Sequence, residues 1–196
     1  MPGRRSPDQT AEADPYTAAV PWSIEIDDLS DPAVVGLLEA HVAQLRATSP
    51  PESTHALDLD GLRREAVTLW VARDDDGSPV GCLALSLVDP THPELKSMRT
   101  DSAATGRGIG TAVLQHVLAH ARDNGLDRLW LETGAEEFFA PARRLYARHG
   151  FVECPPFGHY RPDPLSVFMS LDLSGSGSSA TRAHTTTASP ATPDTI

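Results

Sequence analysis

The segment from Glu94 to Leu114, ELKSMRTDSAATGRGIGTAVL, holds the residues best suited to chemistry. Gly106, Gly108 and Gly110 alternate with other residues, which lets the backbone approach a ligand closely and present successive N–H groups to it. An apolar series at i, i+4 spacing follows at once (Ile109, Val113, Val117, Ala121), so the turn opens directly into an amphipathic helix. Unpaired amides at a helix start, together with the positive end of the helix dipole, make an anion site suited to a pyrophosphate. Arg107 supplies a guanidinium that can add a side-chain contact to phosphate. The glycine spacing is not that of a dinucleotide fingerprint, and no early βαβ unit precedes it. A Walker-type loop fails as well, because no Gly-Lys-Ser/Thr follows.

The elements that must position this turn can be read from periodicity. Trp22–Ile26 alternates as a strand, and Asp31-Pro32 offers an N-cap and a first-turn proline for the helix that follows. SPPES at 49–53 breaks that helix, and His55 to Arg64 predicts a short second one. The runs 66–73 and 80–87, joined by DDDGSP, form a hairpin, with a further strand at 95–100. After the helix at 109–123, Asn124-Gly125 provides a stop. A strand at 128–133, a helix at 139–149 and strands near 151–154 and 165–171 complete the order β-α-α-β-β-β-α-β-α-β-β. This predicts one mixed α/β sheet over residues 21–173, between polar tails at 1–20 and 174–196 that are too poor in apolar residues to fold.

Two motifs in this frame resemble the GNAT superfamily of N-acetyltransferases. Thr105-Gly-Arg-Gly-Ile-Gly110 is similar to the phosphate motif [QR]-x-x-G-x-[GA], with Thr105 at the Gln/Arg position. The stretch from Phe139 to Phe151 is similar to N-x-x-A-x-x-L-Y-x-x-x-G-F, with Phe139 at the asparagine position. Ser49–Leu57, Phe139–Tyr146 and Asp163–Met169 further resemble a bacterial subgroup of that family. The resemblance implies a mostly antiparallel central sheet flanked by helices, and acetyl-CoA as co-substrate. Its pyrophosphate would rest on Thr105, Gly106, Arg107, Gly108, Ile109, Gly110 and Thr111. Its pantetheine arm would run beside Met98, Arg99 and Thr100 and toward Phe139.

Transfer from a thioester to an amine also needs a base, oxyanion donors and an acid for the thiolate. The resemblance implies Tyr146 as the acid and a backbone N–H of the strand at 98–100 as the oxyanion donor. Glu94, eleven residues before Thr105, stands where some members place the base. Glu52, Ser53 and His55, with Tyr160 and Asp163, would line the acceptor side, where carboxylates attract a cationic amine. Glu132, on the next strand, faces either this cleft or an arginine. A small-molecule amine is the leading acceptor. A protein amine, and a non-catalytic acyl-CoA-binding module, stay open as alternatives, and a homodimer is left open because dimers are common in the fold.

Charge and composition narrow the partners. Lys+Arg 16 against Asp+Glu 27 gives −11, and Lys96 is the only lysine. Neither a nucleic acid nor an anionic membrane suits such a chain. Two cysteines, Cys82 and Cys154, are too few for a disulfide framework. His116 and His120 share a helix face at i, i+4, but no third ligand accompanies them, so no metal is expected. No apolar run approaches the ~20 residues needed to span a bilayer, and the expected location is the cytoplasm.

Overall fold

A computed structural model describes residues 22–48 and 59–174. Its elements are β1 (Trp22–Asp27), α1 (Pro32–Thr48), α2 (Leu59–Leu62), β2 (Val67–Asp74), β3 (Pro79–Ser86), β4 (Glu94–Thr100), α3 (Ile109–Asp123), β5 (Arg128–Gly134), α4 (Ala140–Arg148), β6 (Val152–Glu153) and β7 (Ser166–Asp172). The order is the one expected from periodicity. Asp31 Oδ1 accepts the Ala33 N–H at 2.8 Å, so Asp31 caps α1 with Pro32 in the first turn. The second strand from the end is shorter than the sequence pattern predicts. Pro155 and Pro156 offer no N–H to the ladder, and β6 stops at Glu153. Of the predicted second helix, residues 55–58 lie outside the described residues, as do the expected tail at 1–20 and, apart from Ser174, the expected tail at 174–196.

The seven strands form one sheet in the order β1-β2-β3-β4-β5-β7-β6. Every neighbouring pair is antiparallel except β4 with β5. Period-2 alternation sends side chains of the hairpin to two different cores. Trp70, Ala72, Leu83 and Leu85 join Val113, Leu114, Val117 and Tyr146 on the face covered by α3 and α4. Leu69, Val71, Cys82 and Ala84 join Val34, Leu37, Leu38 and Leu62 on the face covered by α1 and α2. Arg73 ties the β1 edge down, reaching Glu25, Asp27 and Asp31 at 2.5, 2.7 and 2.7 Å.

Two irregularities in the middle of the sheet shape everything that follows. In β4, Cys82 pairs with Arg99 and Ala84 with Lys96, so Ser97 and Met98 both stand opposite Leu83. Ser97 takes a left-handed φ of 52° to make this bulge, and its carbonyl accepts the Cys82 thiol at 3.3 Å. On the other edge, β4 and β5 pair only at Glu94 with Trp130 and Leu95 with Leu131. Both strands continue without each other, β4 to Thr100 and β5 to Gly134, and so open a V in the sheet.

Candidate active site

The glycine turn is built as an anion cradle. Asp101 Oδ1 accepts the Ala103 N–H at 2.8 Å and starts a short 3-10 turn, Ser102–Ala104. Gly106 and Gly108 follow at φ 84° and 83°, the left-handed region open to glycine. Gly108 is the N-cap of α3 and no side chain caps the helix. The first N–H to find a carbonyl is that of Ala112, on Gly108 at 3.0 Å. The amides of Ile109, Gly110 and Thr111 therefore lack a backbone acceptor among the described residues, as an anion seat requires. A Cβ on Gly106 or Gly108 would meet nothing within 4 Å, so open space lies over the turn. This arrangement fits a diphosphate.

The individual side chains of the turn do other things. Ile109 is 1% exposed and packs against Gly81, so only its amide faces the cradle. The Thr105 hydroxyl donates to the Asp101 carbonyl at 3.3 Å and closes the 3-10 turn. Arg107 forms two hydrogen bonds with the Asp74 carboxylate, at 2.7 and 3.0 Å, and lies over the Trp22 ring. Asp74 engages two of the five guanidinium N–H groups and holds Arg107 beside the turn.

The V begins beside this cradle. A Cβ on Gly110 would stand 3.2 Å from Thr100 Oγ1 and 3.5 Å from Met98 Cε, so glycine lets α3 start against the free arm of β4. Arg99 points to the opposite face and donates to Gln44 of α1 at 2.6 Å. The other arm of the V ends at Gly134, where a Cβ would fall 2.1 Å from the Phe139 ring. Arg143 of α4 donates to the Gly134 and Glu136 carbonyls, at 2.5 and 2.9 Å, and holds that end in place. Of the residues expected at a cofactor, Met98, Thr100 and Gly110 meet at the free arm of β4, and Phe139 stands at the end of β5.

Polar groups converge where the two strands part. Tyr160 donates to Glu94 Oε1 at 2.7 Å and accepts from Lys96 Nζ at 2.5 Å, while Lys96 stands 2.9 Å from the same carboxylate oxygen. Glu94 and Lys96 share the face away from Leu95, which packs into the core with α3. On β5, Glu132 faces the same side, opposite Phe168 of β7, and accepts the Ser166 hydroxyl at 2.7 Å. Burial pushes the Glu132 carboxyl above the usual range, against the Ser166 hydrogen bond and Lys96 and with the help of Glu94 and Asp163. Asp163 also accepts the Leu165 N–H at 2.8 Å, holding the turn that presents Ser166. Beside this cluster lies a cavity of about 290 Å³, walled by Ser86, Glu94, Lys96 and the 157–160 segment. The segment is itself held by rings: Phe157 packs edge-on to Tyr160 and to Phe168.

Tyr146 approaches from the other face of the sheet. It is 6% exposed on α4, edge-on to Phe151 at 5.7 Å. Burial, followed by the charge of Glu132, raises its phenol well above the ordinary value, so it stays protonated.

The structure thus gathers Glu94, Tyr160 and Asp163 as one group, with Tyr146 near Glu132. Glu52, Ser53 and His55 lie outside the described residues. Glu132, left from sequence between the cleft and an arginine, faces the cleft, while two members of the cluster were not singled out from sequence: Lys96 and Ser166. Lys96 carried a signal, as the single lysine two positions from Glu94 on one face of a strand. Ser166 carried none, since its role depends on β7 lying beside β5. His116 and His120 lean on Trp70, with ring centroids 6.2 and 4.8 Å away. His149 bonds the Leu145 carbonyl through Nδ1 at 2.9 Å, at the end of α4.

An open V in a mixed sheet, with an uncapped helix start beside it, has the edges and the backbone donors that an extended, phosphate-bearing ligand needs. Comparison with known proteins gives the class. The profile of the Acetyltransferase (GNAT) family matches residues 34–151. The uncharacterised N-acetyltransferase YedL of Escherichia coli K12 is 45% identical over 152 residues, which is 78% of this chain and 95% of that one. The IAA acetyltransferase of Azospirillum brasilense is 39% identical over 142 residues, covering 72% and 91%. A crystal structure from Klebsiella pneumoniae, assigned to the acyl-CoA N-acyltransferases, superposes with a TM-score of 0.67 at 30% identity, over 79% of this chain and 99% of that chain.

The chain belongs to the GNAT acetyltransferase family. It is an acyltransferase of the acyl-CoA-using kind, with the mixed, mostly antiparallel sheet expected from the sequence. No helix among the described residues is long and apolar enough to cross a membrane.

Proposed function

We propose that this chain is an acetyl-CoA-dependent N-acetyltransferase, in which the primary amine of a small molecule attacks directly within a ternary complex. The observation that carries this reading is the placement of Glu94, Lys96 and Tyr160 at the point where β4 and β5 part, with Tyr146 behind it. When bound, acetyl-CoA supplies an acyl carbon and a thiolate leaving group. The amides of Ile109, Gly110 and Thr111 hold its diphosphate, and the free edges of β4 and β5 flank its pantetheine arm. A backbone N–H of the free β4 arm at 98–100 polarises the carbonyl. Glu94 receives the amine proton, directly or through the Tyr160 hydroxyl that it already accepts. Tyr146, kept protonated by burial, donates to the departing sulfur.

A cavity of about 290 Å³ lies at the small end of ligand pockets, which supports a small acceptor over a peptide. The names of the relatives above support acetyl as the acyl group. We place the activity in one domain, 21–173, in the cytoplasm. The test is release of free thiol from acetyl-CoA across an amine panel, with Glu94→Gln and Tyr146→Phe alongside. Each variant is expected to lose about 10²–10⁴-fold in kcat while still binding acetyl-CoA. Full turnover in both variants would remove the assigned roles. A wild-type chain that binds acetyl-CoA and acetylates no amine would instead be a non-catalytic binding module.

A further inference from the structure

We propose that the acceptor is amphoteric: a small amine that also carries a carboxylate, with the amine directed at Glu94 and the carboxylate at Arg64. This rests on the acetyltransferase reading and adds the chemical class of its second substrate. The argument comes from how charge is sorted along the 290 Å³ cavity. At its inner end the Glu94 and Lys96 side chains are 10% and 11% exposed. Glu94 and Lys96 pair there at 2.9 Å, and Glu94 is the lining carboxylate that an amine meets at this end.

The mouth carries one guanidinium, Arg64, and one carboxylate, Asp89, which is tied to its own turn. Oδ1 accepts the Thr91 N–H at 2.9 Å and the Thr91 hydroxyl at 2.5 Å, and Oδ2 meets His92 Nδ1 at 2.9 Å. Arg64 lines the same cavity, is exposed, and makes no side-chain hydrogen bond or ion pair with any described residue. A guanidinium at a pocket mouth, with five donors and no carboxylate partner among the described residues, is suited to a ligand carboxylate held by paired hydrogen bonds.

Size agrees with this. A cavity of about 290 Å³ is at the small end of ligand pockets, and one amino acid fits it. The rings of Phe157 and Tyr160 offer an apolar wall to its side chain. A diamine would bring its second cation to Arg64, and a simple amine would leave Arg64 unmatched, so the arrangement discriminates as well as attracts.

The experiment uses the full chain with saturating acetyl-CoA and measures thiol release for the twenty amino acids. Those turned over best are then compared with their methyl esters and with the amines that lack the carboxyl group. The amino acid is expected to exceed both analogues about 10–100-fold in kcat/KM. Arg64→Ala should remove that preference by raising KM for the amino acid with kcat unchanged, and should leave the carboxylate-free amines unaffected. Arg64→Lys should restore part of the preference. Turnover of amines or esters at or above the rate of the amino acids overturns the amphoteric acceptor alone. An Arg64→Ala loss that is equal for all acceptors also overturns it. No thiol release with any compound brings down the acetyltransferase reading itself, and this inference with it.

Discussion

His41 offers a measurement whose size can be worked out in advance. It lies half-buried on α1, three residues before Gln44, the residue that receives Arg99 of β4. Burial, helped by the Arg99 charge, holds its imidazole down to about 4. In the unfolded chain the same group titrates near its ordinary value of about 6.5. A base depressed in the fold leaves stability intact above the unfolded value. That stability is lost as the pH falls from about 6.5 through about 4, because the unfolded state takes up the proton first. The whole difference corresponds to about 3 kcal/mol below pH 4, of which about 2 kcal/mol has gone by pH 5. Partial exposure of the ring to solvent trims this, and about 1–2 kcal/mol is expected at pH 5. His41→Gln removes the titration and leaves every other acid-sensitive group in place. Urea unfolding of both chains at pH 7.5 and pH 5 isolates the histidine as the change in their stability difference. The variant should gain on the wild type by that amount at the lower pH. Two curves that stay parallel within about 0.5 kcal/mol would refute the claim that the fold shields His41 from protonation.

Three other outcomes test the site's construction. Glu132→Gln should remove a pH-dependent term of the opposite kind. Because burial raises the Glu132 carboxyl, its contribution is fully present at acid pH and is lost as the pH rises through the raised value. Wild-type stability relative to the variant should therefore fall from pH 4 to pH 7 in the same urea assay. Gly134→Ala places a Cβ on the Phe139 ring, so it should cost about 1–3 kcal/mol and raise the KM for acetyl-CoA; unchanged thermal stability would show that the ring is not held there. Asp74→Asn frees Arg107 from its carboxylate partner. The variant should bind acetyl-CoA a few-fold more tightly by calorimetry, with an advantage that shrinks in high salt; equal or weaker binding would show that Asp74 does not restrain Arg107.

The sequence by itself determined the elements and the glycine turn that opens α3. Alternation at 66–73 and 80–87, the i, i+4 series from Ile109, and glycines at 106, 108 and 110 are local patterns. They act through backbone preferences that need no distant partner. Tyr146 and Asp163 could be chosen because they stand at motif positions, Glu94 by its spacing from the glycine turn, and Tyr160 by its place on the loop between the last strands. Tertiary structure decided what those residues touch. Tyr160 meets Glu94 across 66 positions and Ser166 meets Glu132 across 34, contacts set by strand order and by how the 155–165 segment folds over the sheet. The V itself follows from a bulge at Ser97 and a parallel pairing that ends at Leu95, and no spacing in the chain announces either. Arg107 shows the same division. Its place beside the cradle is local, whereas its partner Asp74 sits at the end of β2 and comes within reach through the packing of the sheet against α3. Local sequence selects a conformation residue by residue, while long-range contacts depend on register and docking, which only the whole fold supplies.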